Sequence, residues 1–252
     1  MARLPPRTRL SVEPAACLNC GAALAGAYCG ACGQSARTER LRFPQMLRDL
    51  THGVLSADSK ILRTFGALAR RPGPFIREYL LGRRVEYAGP FGYYLLVMAF
   101  NVALSALLAE AGAVPAEPDP DSFWEENFVA LQLGLAFAVV MLPLAAVRRL
   151  VYRAAGFSVA EHFAFLLFVL AQSLLVLRVV DVAVLLMGGS LVGDPEGLVW
   201  LGIFVVYLLW AGRSLVPETW WKALLKVLGA CALIFLALGV GGALVQWALG
   251  SR

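Results

Sequence analysis

Apolar and polar positions divide the chain near residue 90. Beyond it, long apolar runs alternate with short polar breaks. A helix that crosses a bilayer needs about 20 largely apolar residues. Five windows read that way: 91–111, 128–147, 160–187, 198–212 and 227–249. The fourth is short but almost wholly apolar. The third is broken by Arg178 and Asp181, and at about 1.5 Å per residue it exceeds a hydrocarbon core of about 30 Å. It reads as one long helix; the alternative is a span ending near Leu177 followed by a half-inserted segment. The predicted fold is therefore an all-α membrane protein, a bundle of about five transmembrane helices over 91–250.

Before the bundle the pattern changes period. Phe43, Met46, Leu47, Leu50, Val54 and Leu55 recur at helical spacing, and so do Ile61, Leu62, Phe65 and Leu68, with Arg48, Asp49, His52, Asp58, Lys60 and Arg63 between them. Residues 37–90 thus predict amphipathic interfacial helices, with a break near Ser56-Ala57-Asp58 and another at Arg71-Pro72-Gly73-Pro74. A further short helix is expected over Phe75–Leu81.

Composition sharpens the contrast. Of 252 residues 60% are hydrophobic and 15% charged, against about 25% charged in soluble proteins; the mean hydropathy is +0.71. Segment 1–90 holds fourteen of the 22 Lys and Arg. The break after the first window carries only acids (Glu117, Asp119, Asp121, Glu125, Glu126), the next carries Arg148, Arg149 and Arg153, the next Asp194 and Glu196, and the last Arg213, Lys222 and Lys226. Basic residues mark the cytoplasmic side of short loops, so the N-terminus is expected in the cytoplasm and the C-terminus outside it. The opening MARLPPRTRL has three Arg and two Pro and no apolar core behind it, so no signal peptide is read there. Tyr93, Tyr94, Trp124, Trp200, Trp210, Trp220, Trp221 and Trp247 fall near window edges and read as interfacial anchors.

Cysteine spacing adds a metal. After a basic stretch over 1–14, residues 15–36 contain Cys17-Leu18-Asn19-Cys20-Gly21 and, seven residues on, Cys29-Gly30-Ala31-Cys32-Gly33. Two residues between paired cysteines let a tight turn aim both thiolates at one ion, and the glycine after each pair lets the backbone fold back under it. Two such knuckles form a closed all-thiolate site suited to structural Zn²⁺, which would supply much of the module's folding energy. A redox dithiol and an iron–sulfur cluster are the competing readings. Cys231 lies alone in an apolar run and reads as a small buried hydrophobe.

These motifs continue into the collar. The chain reads CxNCG, then Tyr28-Cys29-Gly30-Ala31-Cys32-Gly33-Gln34, Arg63-Thr64, Arg71-Pro72-Gly73-Pro74-Phe75-Ile76-Arg77-Glu78-Tyr79, Gly82-Arg83-Arg84, Tyr87 and Pro90. Over about residues 15–95 this resembles the bacterial membrane-protein family known as domain of unknown function 3667. The resemblance implies a multi-pass bacterial inner-membrane protein with a zinc-ribbon-like N-terminus, and it brings no activity. In helix number and orientation alone the bundle is also similar to the Yip family.

Candidate chemistry is sparse. Ionisable groups in hydrocarbon are costly and therefore functional suspects: Arg178 and Asp181, three apart on one helical face, and Glu161 and His162 near the start of the third window. Arg70, Arg71, Arg77, Arg83 and Arg84 form a basic collar suited to anionic headgroups of the lipid bilayer. Nucleic acid is not expected, because these charges hug the point where the chain enters the membrane and the positive-inside pattern accounts for them. There is no GxSxG, HExxH or P-loop, and no catalytic residue is assigned. The leading reading is a non-enzymatic membrane protein whose zinc module docks a protein partner or braces the bundle at the cytoplasmic face. A small transporter or channel using Arg178, Asp181 and Glu161, and a membrane enzyme holding lipid phosphate with Arg71, Arg83 and Arg84, are the alternatives.

Overall fold

A computed structural model of the chain describes residues 16–47, 58–110, 138–189, 194–213, 215, 219, 221–226 and 229. These are mostly helical, with no strand among them; two isolated antiparallel bridges, Ala16 with Ala23 and Tyr28 with Ser35, are the nearest approach to a sheet. The architecture rests on α1 (Asp58–Arg70), α2 (Pro72–Leu80), α3 (Pro90–Glu110), α4 (Val159–Leu186) and α5 (Asp194–Gly212), with further helical residues at 43–47, 138–151 and 221–226.

Among the described residues two helices are long and apolar enough to cross a membrane: Pro90–Leu108 within α3, and α4. They occupy the first and third apolar windows. The fourth window is the apolar part of α5, Leu198–Gly212, too short to meet the same measure. The second is helical over 138–151, and its earlier residues, like nearly all of the fifth window, lie outside the described residues. The described residues thus contain two candidate spans, where the apolar pattern of the whole chain predicts five.

α4 is the axis. A capping box starts it: the Ser158 amide donates to Glu161 Oε2 at 2.7 Å and the Glu161 amide to Ser158 Oγ at 3.2 Å, two otherwise orphaned donors satisfied together. It then runs unbroken past Arg178 and Asp181, one long helix. These two charges answer each other across one turn, Arg178 Nη1 donating to Asp181 Oδ2 at 2.8 Å, so neither interrupts the backbone. α3 and α5 pack along α4, and α1 and α2 close on it as well. From Ala160 to Ser173 every residue of α4 is buried; farther along, Val179 is 68% and Leu186 83% exposed.

The collar helices owe their break to Pro72. A residue before proline disfavours the helical region, and Arg71 sits at φ −146°, ψ 64° while Pro72 takes the first turn of α2. α2 therefore starts at Pro72, three residues before the position the periodicity suggests. It buries Phe75, Ile76, Tyr79 and Leu80. Phe168 of α4 gathers this layer: its ring centroid lies 5.5 Å from Phe75, 5.2 Å from Tyr79 and 6.2 Å from Tyr93 of α3, within the range where aromatic pairs attract beyond simple burial. Polar ties fix the same layer. Thr64 Oγ1 donates to the Lys60 carbonyl at 2.7 Å and accepts the Ala88 amide at 2.9 Å. Tyr207 of α5 donates its hydroxyl to the Leu68 carbonyl at 2.7 Å.

Candidate metal centre

The cysteine knuckles fold as near copies of each other. The Cys17 amide donates to the Ala22 carbonyl at 2.8 Å and the Gly21 amide to the Cys17 carbonyl at 2.9 Å; in the second knuckle Cys29 bonds Gln34 at 2.8 Å and Gly33 bonds Cys29 at 2.8 Å. Gly21 and Gly33 take φ of +77° and +74°, a left-handed turn that costs glycine little. The turns bring the four Sγ atoms within 4.8 Å of one another. Cys17 lies 3.6 Å from Cys32 and Cys20 lies 3.6 Å from Cys29. All four are free thiols, the S–S bond of about 2.05 Å that a disulfide needs being far shorter. Together they can hold a metal ion.

The electrostatics of the four thiols are uneven. The Asn19 amide donates to Cys17 Sγ at 3.4 Å. Cys29, facing the amides of Cys32 and Ala31, is lowered to about 7. Cys20 is drawn down by the Ala22 amide, but its neighbours Cys29, Cys32 and Cys17 outweigh it and raise Cys20 to about 12. Crowded thiols of this kind resist shedding all their protons unless a cation takes the protons' place.

The centre has a built seat. Gln34, 4% exposed, donates from Nε2 to the Gly82 carbonyl at 2.9 Å and to Thr38 Oγ1 at 3.2 Å, and its Oε1 accepts the Arg84 amide at 3.4 Å. Asn19 Nδ2 donates to Glu86 Oε1 at 3.3 Å. Gly82 has φ +118°, and a Cβ there would meet Leu18 Cδ1 at 3.0 Å and Thr38 Cγ2 at 3.3 Å. Asn19 within the first knuckle and Gln34 directly after the second are thus spent on the collar. Farther on, Arg40 donates from Nε to Glu161 Oε1 at 3.2 Å and from Nη2 to the Gly156 carbonyl at 2.6 Å, which ties the segment after the metal centre to the first turn of α4. Hydrogen bonding to Glu161 raises Arg40 above its ordinary value.

The collar arginines divide. Arg70 and Arg77 are exposed. Arg71 pairs with Glu78 at 3.1 Å. Arg83 is held between Glu78 at 3.3 Å and Glu86 at 3.5 Å; burial works to lower it, and the Tyr87, Glu86 and Glu78 charges turn the net shift upward. Arg84 donates from Nε to the Tyr79 carbonyl at 3.2 Å. Among the charges of the third window, Arg178 also donates to Asn101 Oδ1 of α3 at 2.7 Å. Glu161 is taken by Arg40 and by its own cap. His162 is buried, with its ring against Phe157 at 6.1 Å, and His52 lies outside the described residues. The four do not converge on one point: Glu161 and His162 belong to the start of α4, and Arg178 and Asp181 lie over four turns farther along.

The bonding roles of Gln34, Asn19, Arg40 and Thr64 emerge only with the fold. For Gln34 the available signal was its place directly after the second knuckle, in the CGxCGQ string. Arg148, counted among the loop charges, proves 6% exposed, its guanidinium 4.2 Å from the Phe165 ring centroid and 4.8 Å from that of Tyr152. No curated protein and no solved structure matches the chain. Residues 58–101, from the start of α1 into the middle of α3, match the model of the family described as protein of unknown function (DUF3667), the family that the cysteine and collar motifs resemble.

Proposed function

We propose that this chain is a multi-pass bacterial inner-membrane protein with a cytoplasmic N-terminus, in which a structural zinc ion braces the collar against the bundle. The observation that carries the reading is the buried Gln34 side chain, which joins the second knuckle to the Gly82 carbonyl and the Arg84 amide. The donor set suits zinc: with Zn–S near 2.3 Å, a tetrahedron has sulfur–sulfur edges of about 3.8 Å, close to the 3.6 Å of the two near pairs. Four thiolates leave no open position for a substrate, which supports a structural role. Zinc would supply folding energy to a module with almost no apolar core. Spending Asn19 and Gln34 on its own chain favours bracing over capture of a partner.

The membrane part rests on α3, α4 and the alternating loop charges. The length of α4 fits this scheme. Its 28 residues extend about 42 Å, more than the hydrocarbon core, and its first half is the part enclosed by protein. The remaining turns, with Val179 and Leu186 outward, are long enough for most of a crossing. Arg178, bonded to both Asn101 and Asp181, supports a packed seam between α3 and α4 rather than an ion path.

The test uses the full chain in detergent. Metal analysis is expected to give one zinc per chain, and Cys17→Ser with Cys20→Ser to abolish it. Hydrogen exchange of 80–90 is then expected to rise in the variant while that of α4 beyond Leu177 does not. Unchanged protection of 80–90 after zinc loss would remove the bracing role.

A further inference from the structure

α1 presents three faces. Thr64 and Leu68 are buried, and Ile61 packs beside them against the core. Leu62, Phe65 and Ala69 recur at helical spacing on a second face that no protein covers: Leu62 is 71% exposed and Phe65 43%. Arg63 and Arg70, two turns apart and both exposed, form the third. These arginines line one cleft of about 460 Å³ together with Gly66 and Tyr87. Arg70 Nη1 lies 3.9 Å from where a Cβ of Gly66 would stand, so its guanidinium folds back along the helix toward Arg63. Among the described residues neither arginine pairs with an acid, whereas Glu78 and Glu86 hold Arg71 and Arg83.

Hydrogen bonds fix the level of this helix. Thr64 accepts the Ala88 amide at 2.9 Å, two residues before α3 begins. The Leu68 carbonyl accepts the Tyr207 hydroxyl, near the end of α5, at 2.7 Å. Tyr93, in the first turn of α3, donates to Gln172 at 2.7 Å, where the enclosed half of α4 gives way to its more exposed turns. α1 thus stands where α3 begins and α4 emerges from its wrapping.

We infer that the outer side of α1 docks on the surface of an anionic bilayer, with Leu62 and Phe65 among the acyl chains and Arg63 and Arg70 on lipid phosphate. A helix with an apolar face beside arginines holds such an interface by burying the first and pairing the second. The long arginine stems let the charged heads reach phosphate while the apolar stripe stays immersed. The surface takes Arg70 from the collar, adds Arg63, and leaves out Arg71 and Arg83, which acids already occupy. It rests on the membrane reading above, since the occupant is the leaflet that α3 and α4 would enter.

The full chain carrying Phe65→p-benzoylphenylalanine tests the surface. It is reconstituted in vesicles of phosphatidylglycerol with phosphatidylcholine, and in vesicles of phosphatidylcholine alone. Irradiation is expected to join residue 65 to phospholipid, with a yield several-fold higher in the anionic vesicles. R63Q with R70Q is expected to bring that yield down to the phosphatidylcholine level; both side chains are exposed, and an unchanged thermal midpoint in detergent shows that the variant is folded. Cross-links to protein alone, whether a second copy or another chain, overturn the inference, and so does the absence of any cross-link. Equal yields in the two kinds of vesicle, or a yield that R63Q with R70Q leaves unchanged, overturn it as well. Alkaline extraction of native membranes separates the two levels. A chain that stays with the membrane and gives one of these results refutes the surface alone, and a chain released as soluble protein refutes the membrane reading beneath it.

Discussion

Gln34 makes three hydrogen bonds from a nearly sealed position, two of them to the loop that leads into α3. Replacing it with leucine strands the Gly82 carbonyl and the Arg84 amide, and a buried polar group left unpaired costs about 1–3 kcal/mol. Q34L is expected to lower the thermal midpoint of the full chain in detergent and to speed zinc loss to a chelator; equal loss rates in both proteins would show that the bond does not couple module to collar. Arg178 and Asp181 make a sharper case. Removing one member leaves a partly buried charge, typically at about 3–5 kcal/mol, whereas replacing both with apolar groups is often close to neutral. R178M alone should therefore unfold earlier than R178M with D181L, and equal midpoints for the single and double variants would contradict a neutral seam. At this scale the cysteines were legible, because metal geometry is written in their spacing. Their seat was not: a glutamine and an asparagine carry no periodicity, and their partners lie 48 and 67 residues away.

Thr64 shows what holds helices together here. Its hydroxyl closes onto its own helix at Lys60 and also receives the Ala88 amide, so α1 and the chain before α3 share one atom. T64V keeps the shape and removes both bonds; a loss of about 1–3 kcal/mol is expected, read as faster exchange of the Ala88 amide with α3 unaltered. The break between α1 and α2 was legible in Arg71-Pro72, since proline acts locally. The apolar windows located α3 and α4, because unbroken apolar length is a local property too. The pattern did not reveal that half of α4 is wrapped by protein. Apolar faces toward protein and toward lipid have the same composition, and only the packing of Phe75, Tyr79 and Tyr93 on Phe168 tells them apart.

Across the whole molecule, Arg40 joins the segment just after the metal centre to the cap of α4, 121 residues on. R40A leaves Glu161 buried with only its cap. The expected loss, about 1–3 kcal/mol from charged hydrogen bonds and at the low end because Arg40 is 37% exposed, should appear as a lower midpoint. R40K should recover little, since lysine cannot reproduce the two-pronged grip on Glu161 together with the Gly156 carbonyl; full recovery by lysine would mean that charge alone matters. Tyr207, Thr64, Gln34 and Arg40 make one connected body of the metal-bearing segment, the collar and the bundle. The Gln34 contact then has a thermodynamic corollary. When two events share an interface, each shifts the other by the same factor. Whatever steadies the loop at Gly82 must tighten the grip of the thiols on a bound metal ion by as much as that ion steadies the loop. The affinity of the four thiols for a metal ion would then serve as a gauge of how firmly the loop before α3 is held.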